Sequence, residues 1–352
     1  MISIQNHIKG HGKIPDLLIK ESLEKLWTFL NQVDKKGLFK ESSLIMRVRS
    51  LKKHVTTDQY KNDNQESFSR HFSLMNYLDD EVVLKKIVFS KPEAFKSIKS
   101  DINKHVNDSD LFTKKKNSFV KTNFCKLLLS RVFNYESYRS STTLYEIYEN
   151  MFFDKATCVY CNADSALIIS QKEGGLNNKQ ALFELDHFYP KAKYPYLALS
   201  FYNHIPSCSN CNGKLKRSRD FTVETHIHPY VRCFDDEYDF VPNMDVFTGG
   251  PLNLVKMRIK NGQTDSLVKD LKLESRYSKL LSVSSANVFI EMLHKYEDVI
   301  RDGSADPRYE DMLLDLIKSH VSLEKNDVLK RSYSKLKLDL LRAFDINSRI
   351  VK

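Results

Sequence analysis

Apolar residues Ile19, Leu23, Leu26, Trp27 and Leu30 recur at helical spacing, and Pro15 stands where a first helical turn accepts proline. That pattern predicts an amphipathic helix. The polar stretches Thr56-Thr57-Asp58-Gln59 and Lys61-Asn62-Asp63-Asn64-Gln65 read as loops between helices. Leu144, Ile147, Tyr148 and Met151 predict another amphipathic helix that leads into a cysteine turn. Residues from about 14 to 150 are therefore expected to be mostly helical. From about 155 to 245 the texture changes. Gly174-Gly175-Leu176-Asn177-Asn178 reads as a loop, and Pro190, Pro195, Pro206, Pro229 and Pro242 exclude long helices in favour of short strands. Helical periodicity returns after Gly249-Gly250-Pro251, with one stripe at Met312, Leu313, Leu316 and Ile317 and another at Val328, Leu336, Leu340 and Phe344. Both read as core stripes. The expected fold is mainly α with a small central α+β domain, divided as residues 1–150, 151–245 and 246–352.

Two Cys-x-x-Cys pairs, Cys158/Cys161 and Cys208/Cys211, sit inside the central region. Thiolate pairs at this spacing grip one Zn²⁺ from tight turns, and two pairs close a tetrahedral site with no open position. The expected zinc is structural. A thioredoxin-like reading of Cys158-Val159-Tyr160-Cys161 leaves the second pair unexplained and lacks the strand-then-helix context. Ala181 to Asp186 reads as a strand, and period-two alternation puts Leu182, Glu184 and Asp186 on one face. Asp186 at the strand end can reach a metal ion, and His187 can take a proton from water beside a metal-bound phosphate. Those two groups together are what phosphodiester hydrolysis requires.

Asn203 and Asn212 complete an order of residues that resembles the HNH (ββα-metal) nuclease family. The resemblance implies a β-hairpin followed by a helix. It implies Asp186 and Asn212 as ligands of a catalytic divalent ion, His187 as general base, and Asn203 as the brace that orients His187. Asn in the last position, where many members carry His, favours a hard ion such as Mg²⁺ or Mn²⁺. The bland reading of Asn212 is a helix N-cap. Gly213-Lys214-Leu215-Lys216-Arg217-Ser218-Arg219 should form the helix of the motif, placing Lys214, Lys216 and Arg217 on nucleic-acid backbone, with Lys191 and Lys193 on the preceding loop in the same part. Glu184 is expected to tune the site rather than to ligate. His204 reads as a surface histidine more than as a supplementary site residue. His226 and His228, in Thr225-His226-Ile227-His228-Pro229-Tyr230, read as packing or phosphate contacts more than as metal ligands.

Longer segments, among them Cys158-Val159-Tyr160-Cys161-Asn162, Phe183-Glu184-Leu185-Asp186-His187-Phe188-Tyr189-Pro190-Lys191 and His228-Pro229-Tyr230, resemble the HNH subunits of Septu-type antiphage systems over roughly residues 140–240. That resemblance implies a bacterial defence nuclease working beside an ABC-type or AAA-type ATPase, a PtuA-like partner. Similar proteins accompany some retrons, which adds a retron reverse transcriptase and its DNA to the implied partners. The chain has no Gly-x-x-x-x-Gly-Lys-Ser/Thr phosphate loop of its own, so ATP hydrolysis would come from elsewhere.

Composition changes this picture little. The net charge of +10 and a pI near 9.1 suit a polyanionic partner without establishing one. Cys125 and Cys233 are isolated, and the N-terminal residues Met1 to His7 lack a basic-then-apolar export signal. A reducing cytoplasm is the expected compartment, and no apolar run long enough to span a membrane is present. The functional expectation is a metal-dependent endonuclease with DNA favoured and RNA such as tRNA the other substrate. Its rival is a zinc-stapled nucleic-acid-binding or scaffold module without cleavage.

Overall fold

The computed structural model describes residues 3–115, 118–173, 176–249, 254–260, 265–281, 285–304, 306–345 and 347–351. The Pro15–Leu30 helix begins with Pro15 in its first turn and buries Ile19, Leu23, Leu26, Trp27 and Leu30, as the spacing predicts. Thr142–Asn150 likewise buries Leu144, Ile147 and Tyr148, and Met151 follows in the core. The expected loop across 58–63 is instead a short helix, Asp58–Asp63. Thr57 caps it through Tyr60 N, and buried Tyr60 anchors it with a 2.9 Å hydrogen bond between its hydroxyl and His71 Nδ1.

Nine strands occur among the described residues, paired only antiparallel: β1 Phe112–Lys115 with β2 Ser118–Lys121; β3 Lys155–Thr157 with β4 Ser165–Glu173, which also pairs with β5 Leu176–Ala181; β6 Glu184–His187 with β7 His204–Ser207; and β8 Tyr238–Pro242 with β9 Val255–Ile259. The fold is thus mixed, dominated by helices with small antiparallel sheets. Hairpin β1–β2 lies inside the region expected to be helical. Residues 176–178, expected as loop, belong to strand β5, while Gly174 and Gly175 lie outside the described residues. Strand β9 carries the central texture past residue 246, whereas Gly250 and Pro251 are outside the described residues. Between 155 and 245 the longest helical run is Asn210–Lys216, in keeping with the proline spacing. Met312 departs from its stripe: it is exposed, while Leu313 and Ile317, one turn apart, face the core.

One apolar cluster runs from Ile4 to Phe344. The N-terminal helix is tied to two later segments: Ile4 N donates to Pro229 O at 3.0 Å, and Lys330 Nζ to Gly10 O at 2.7 Å. The C-terminal helix Ser334–Phe344 is pinned by Lys335, which is almost fully buried between Asp235 and Asp339 at 2.6 Å each. No helix among the described residues is long and apolar enough to cross a membrane.

Several buried histidines make the fold acid-sensitive. Burial lowers His7 and His71 to about 4 and His228 to about 3. Each stays neutral in the folded chain while the unfolded chain binds a proton below the ordinary histidine value of 6.5. Their stabilisation is complete above that pH and is lost as pH falls toward 4. Urea midpoints measured from pH 7 down to 4 are expected to fall with net proton uptake on unfolding. His71→Gln should flatten that slope.

Candidate metal centres and catalytic cleft

The first cysteine pair closes a turn between β3 and β4, and the second opens the Asn210–Lys216 helix after β7. All four sulfurs are buried and lie within 4.8 Å of one another. Four sulfurs about 2.3 Å from a tetrahedral centre would stand about 3.8 Å apart, and Cys161 Sγ to Cys208 Sγ is 3.8 Å. Backbone N–H groups of Cys208 and Cys211 donate to Cys158 Sγ and Cys208 Sγ, and Arg276 Nη1 lies 3.2 Å from Cys211 Sγ. Hydrogen bonds from the other three thiols hold Cys161 well below the usual thiol value. This geometry can bind a metal such as zinc. Neither Cys125 nor Cys233 joins the cluster.

Each pair is followed by an asparagine whose backbone N–H donates back to the first cysteine's carbonyl, Asn162 to Cys158 and Asn212 to Cys208. Asn162 sits in the left-handed region at φ 50° and is fully buried. Its Nδ2 reaches Thr157 Oγ1, Val328 O and Arg331 O at 2.8 to 3.0 Å, while its Oδ1 accepts from Lys335 N. One amide thus joins the cysteine turn to the C-terminal helix. Only its place beside the cysteines hinted at this in the sequence.

Strands β6 and β7 pair Asp186 with Ile205 and His187 with His204, and the Asn210–Lys216 helix follows. A cleft of about 400 Å³ is lined by Glu184, Asp186, His187, Lys191, Asn212 and Arg217 among others. Asp186 is buried. Its Oδ2 accepts from Tyr160 hydroxyl at 2.7 Å and its Oδ1 from Lys216 Nζ at 2.8 Å. Lys216 is wholly enclosed and also donates to His187 O at 2.6 Å. Its expected place on nucleic-acid backbone is therefore corrected: it is an internal counter-ion.

The cause is the helix geometry. Arg217 N bonds Asn212 O, a five-residue step characteristic of a wide π-turn, and this rotates Lys216 inward. The helix ends at Lys216 rather than running to Arg219, and Arg217 follows at φ 52°. Lys214 and Arg217 are exposed. Lys191 pairs with Glu136 at 3.1 Å above the Tyr135 ring, while Lys193 is taken up by Asp220 at 2.5 Å.

His187 is directed to the cleft wall by a carbonyl: Ala198 O lies 3.1 Å from its Nε2 and 2.9 Å from Nε2 of His204. One oxygen accepts from both, so each ring carries its proton on Nε2 and has Nδ1 as the acceptor. Burial, with help from His204 and Lys191, holds His187 well below the ordinary histidine value. His204 is fully buried, contrary to the surface reading. Asn203 ties the long β6–β7 connection across itself. Its Oδ1 accepts from Tyr189 N at 2.7 Å, and its Nδ2 donates to Tyr189 O and Leu197 O at 3.1 and 3.0 Å. That fixes the stretch carrying Ala198.

Asn212 lies inside its helix rather than capping it, and its Nδ2 donates to Glu184 Oε2 at 2.7 Å. The predicted strand starts only at Glu184, so Leu182 is outside it and exposed while Asp186 is buried. His226 stacks on Phe221 with its Nε2 3.2 Å from Asp270, and His228 packs on Phe188. Both are buried packing residues, and neither joins a metal-capable cluster among the described residues.

Over 74 residues, 21% of this chain, the sequence is 38% identical to the Septu protein PtuB of Bacillus thuringiensis. The match supports a Septu-like relationship. It covers 24% of that protein, so the likeness spans about a quarter of the relative's length. No family model matches the chain, and no solved structure matches it.

Two outcomes follow for this region. Cys208→Ser is expected to remove bound zinc, measured by elemental analysis, and to lower the melting temperature by several degrees. Full stability in a zinc-free variant would exclude the structural site. Asn162→Ala strands several buried backbone groups and should lower unfolding free energy by about 3 kcal/mol in urea titrations.

Proposed function

We propose that the chain is a metal-dependent HNH-type endonuclease that hydrolyses phosphodiester bonds, DNA foremost, within an antiphage defence system of the Septu kind. The observation that carries this reading is the fixed ring of His187 on the wall of a cleft shared with Asp186 and Asn212. The hairpin-then-helix order of β6, β7 and Asn210–Lys216 agrees with a ββα-metal arrangement. The partial likeness to Septu protein PtuB supports the biological setting.

The donor set suits a hard divalent ion. An Asp carboxylate offers about four lone-pair positions, of which Tyr160 and Lys216 take one each, and Asn212 adds an amide oxygen. Bound by Asp186 and Asn212, Mg²⁺ or Mn²⁺ would supply charge stabilisation on the scissile phosphate. His187, neutral and proton-bearing at Nε2, takes the proton of the attacking water on Nδ1. Ala198 O stabilises the imidazolium that results. Asn203 holds that carbonyl in place by bracing Leu197 and Tyr189. Glu184 fixes the Asn212 side chain through its Nδ2 and thereby turns the amide oxygen away from itself. Partner docking by the helices outside the central region, to an ATPase of the PtuA kind, is part of the same proposal, and a retron reverse transcriptase with its DNA is the other assembly in which the chain would serve.

The test is cleavage of plasmid DNA and total tRNA by purified protein with Mg²⁺ or Mn²⁺, with and without the ATPase. His187→Ala is expected to reduce cleavage at least 100-fold while zinc content and melting temperature stay as in the wild type. Equal cleavage by both proteins would defeat the assignment. Silence of the wild type in every arm would favour a binding or scaffold module.

A further inference from the structure

Beside the catalytic cleft lies a second one of about 550 Å³, lined by Lys115 and Ser118 of hairpin β1–β2, by residues 214–219, and by Lys272. Lys and Arg make up 55 of 352 residues, yet six of the nine residues lining this cleft are Lys or Arg and none is acidic. Two of the six are internally engaged, Lys216 with Asp186 and Arg219 with Asp270. The other four, Lys115, Lys214, Arg217 and Lys272, are exposed, and none has an ion-pair partner among the described residues. Arg217 and Ser218 line both clefts, so the two form one trough. At its catalytic end the trough gains exposed Lys121 from the base of the same hairpin.

Toward its tip the hairpin is two-faced. Its register puts Lys115 opposite Ser118, facing the basic cleft. Lys114 opposes Phe119, and those two line a separate depression that holds Asp108, Asp220 and Asp270. A polyanion is therefore attracted to the first face, whereas in the second Lys114, Lys193 and Arg219 are balanced by the three aspartates and offer no net positive charge. No aromatic residue lines the basic cleft, so it offers no platform on which unpaired bases stack, and its cations suit backbone phosphates.

We propose that this trough binds the sugar-phosphate backbone of a nucleic-acid duplex flanking the cleaved bond, with Lys115, Lys121 and Lys272 as contacts and hairpin β1–β2 as its outer wall. The inference rests on the nuclease reading for its purpose but not for its binding chemistry. These cations come from segments far apart in sequence, and the fold brings them to the rim of the His187 cleft.

Binding is measured by fluorescence anisotropy in the full-length His187→Ala protein, which removes cleavage, on duplex DNA, duplex RNA and a single strand of equal length across a salt series. The triple variant Lys115→Ala/Lys121→Ala/Lys272→Ala should weaken duplex DNA binding at least tenfold and reduce the slope of log K against log salt by about 2 to 3. Lys114→Ala, with the same type of change on the opposite face, should leave the slope as it was. An unchanged slope in the triple variant, an equal loss in Lys114→Ala, or tighter binding of the single strand overturns the trough. The DNA and RNA arms identify which duplex it holds. The two readings fail separately: cleavage that does not depend on His187 removes the hydrolytic role while a salt slope dependent on the triple variant keeps the trough, and the reverse result removes the trough alone.

Discussion

Four sulfurs within 4.8 Å of one another bring two distant turns of the central region to a single point. The β3–β4 turn and the start of the Asn210–Lys216 helix are some fifty positions apart, and the intervening chain packs Phe183, Leu185, Phe188, Leu197, Phe201 and Ile205 into the core between them. A metal ion bridging the sulfurs would close that long loop directly. Two consequences run outward from the cluster. Through Asn162 the first turn locks onto the C-terminal helix, and through Asn212 the second turn sets the helix that covers β6. Strand β6, which carries Asp186 and His187, is thus positioned by residues outside it.

Much of this was legible because it depends on spacing. The Pro15–Leu30 stripe, the paired cysteines and the Asp186-His187 step all follow from periods or intervals that the backbone obeys locally. Hairpin β1–β2 was not legible. Its strands carry mostly exposed side chains, so no alternation of apolar and polar residues marks them. Lys216 was misread for a related reason. A 3.6-residue turn would leave a lysine after Leu215 near the solvent side, whereas the wide turn closed by Arg217 N and Asn212 O carries it under Asp186. His204 escaped because a histidine's burial depends on its cross-strand neighbours, here His187 and the shared Ala198 carbonyl.

The cleft joins an enclosed frame to an exposed rim. Asn203, Ala198 and His204 form a hydrogen-bonded frame with no exposed member, so His187 has little rotational freedom. On the opposite wall, exposed Arg217 sits in a left-handed conformation just past the helix end. An enclosed imidazole and an exposed guanidinium thus line one cleft, the first held by its neighbours and the second open to solvent.

The enclosed Lys216 also changes what an arriving ligand meets. With an ammonium group already seated against it, buried Asp186 presents no bare negative charge to the outside. Of the three acidic residues that line the cleft, Asp186 is thus the one whose charge is cancelled from inside the protein, while Glu136 and Glu184 remain on its wall. Any cation that settles at Asp186 has to share that carboxylate with an ammonium group the fold has already enclosed.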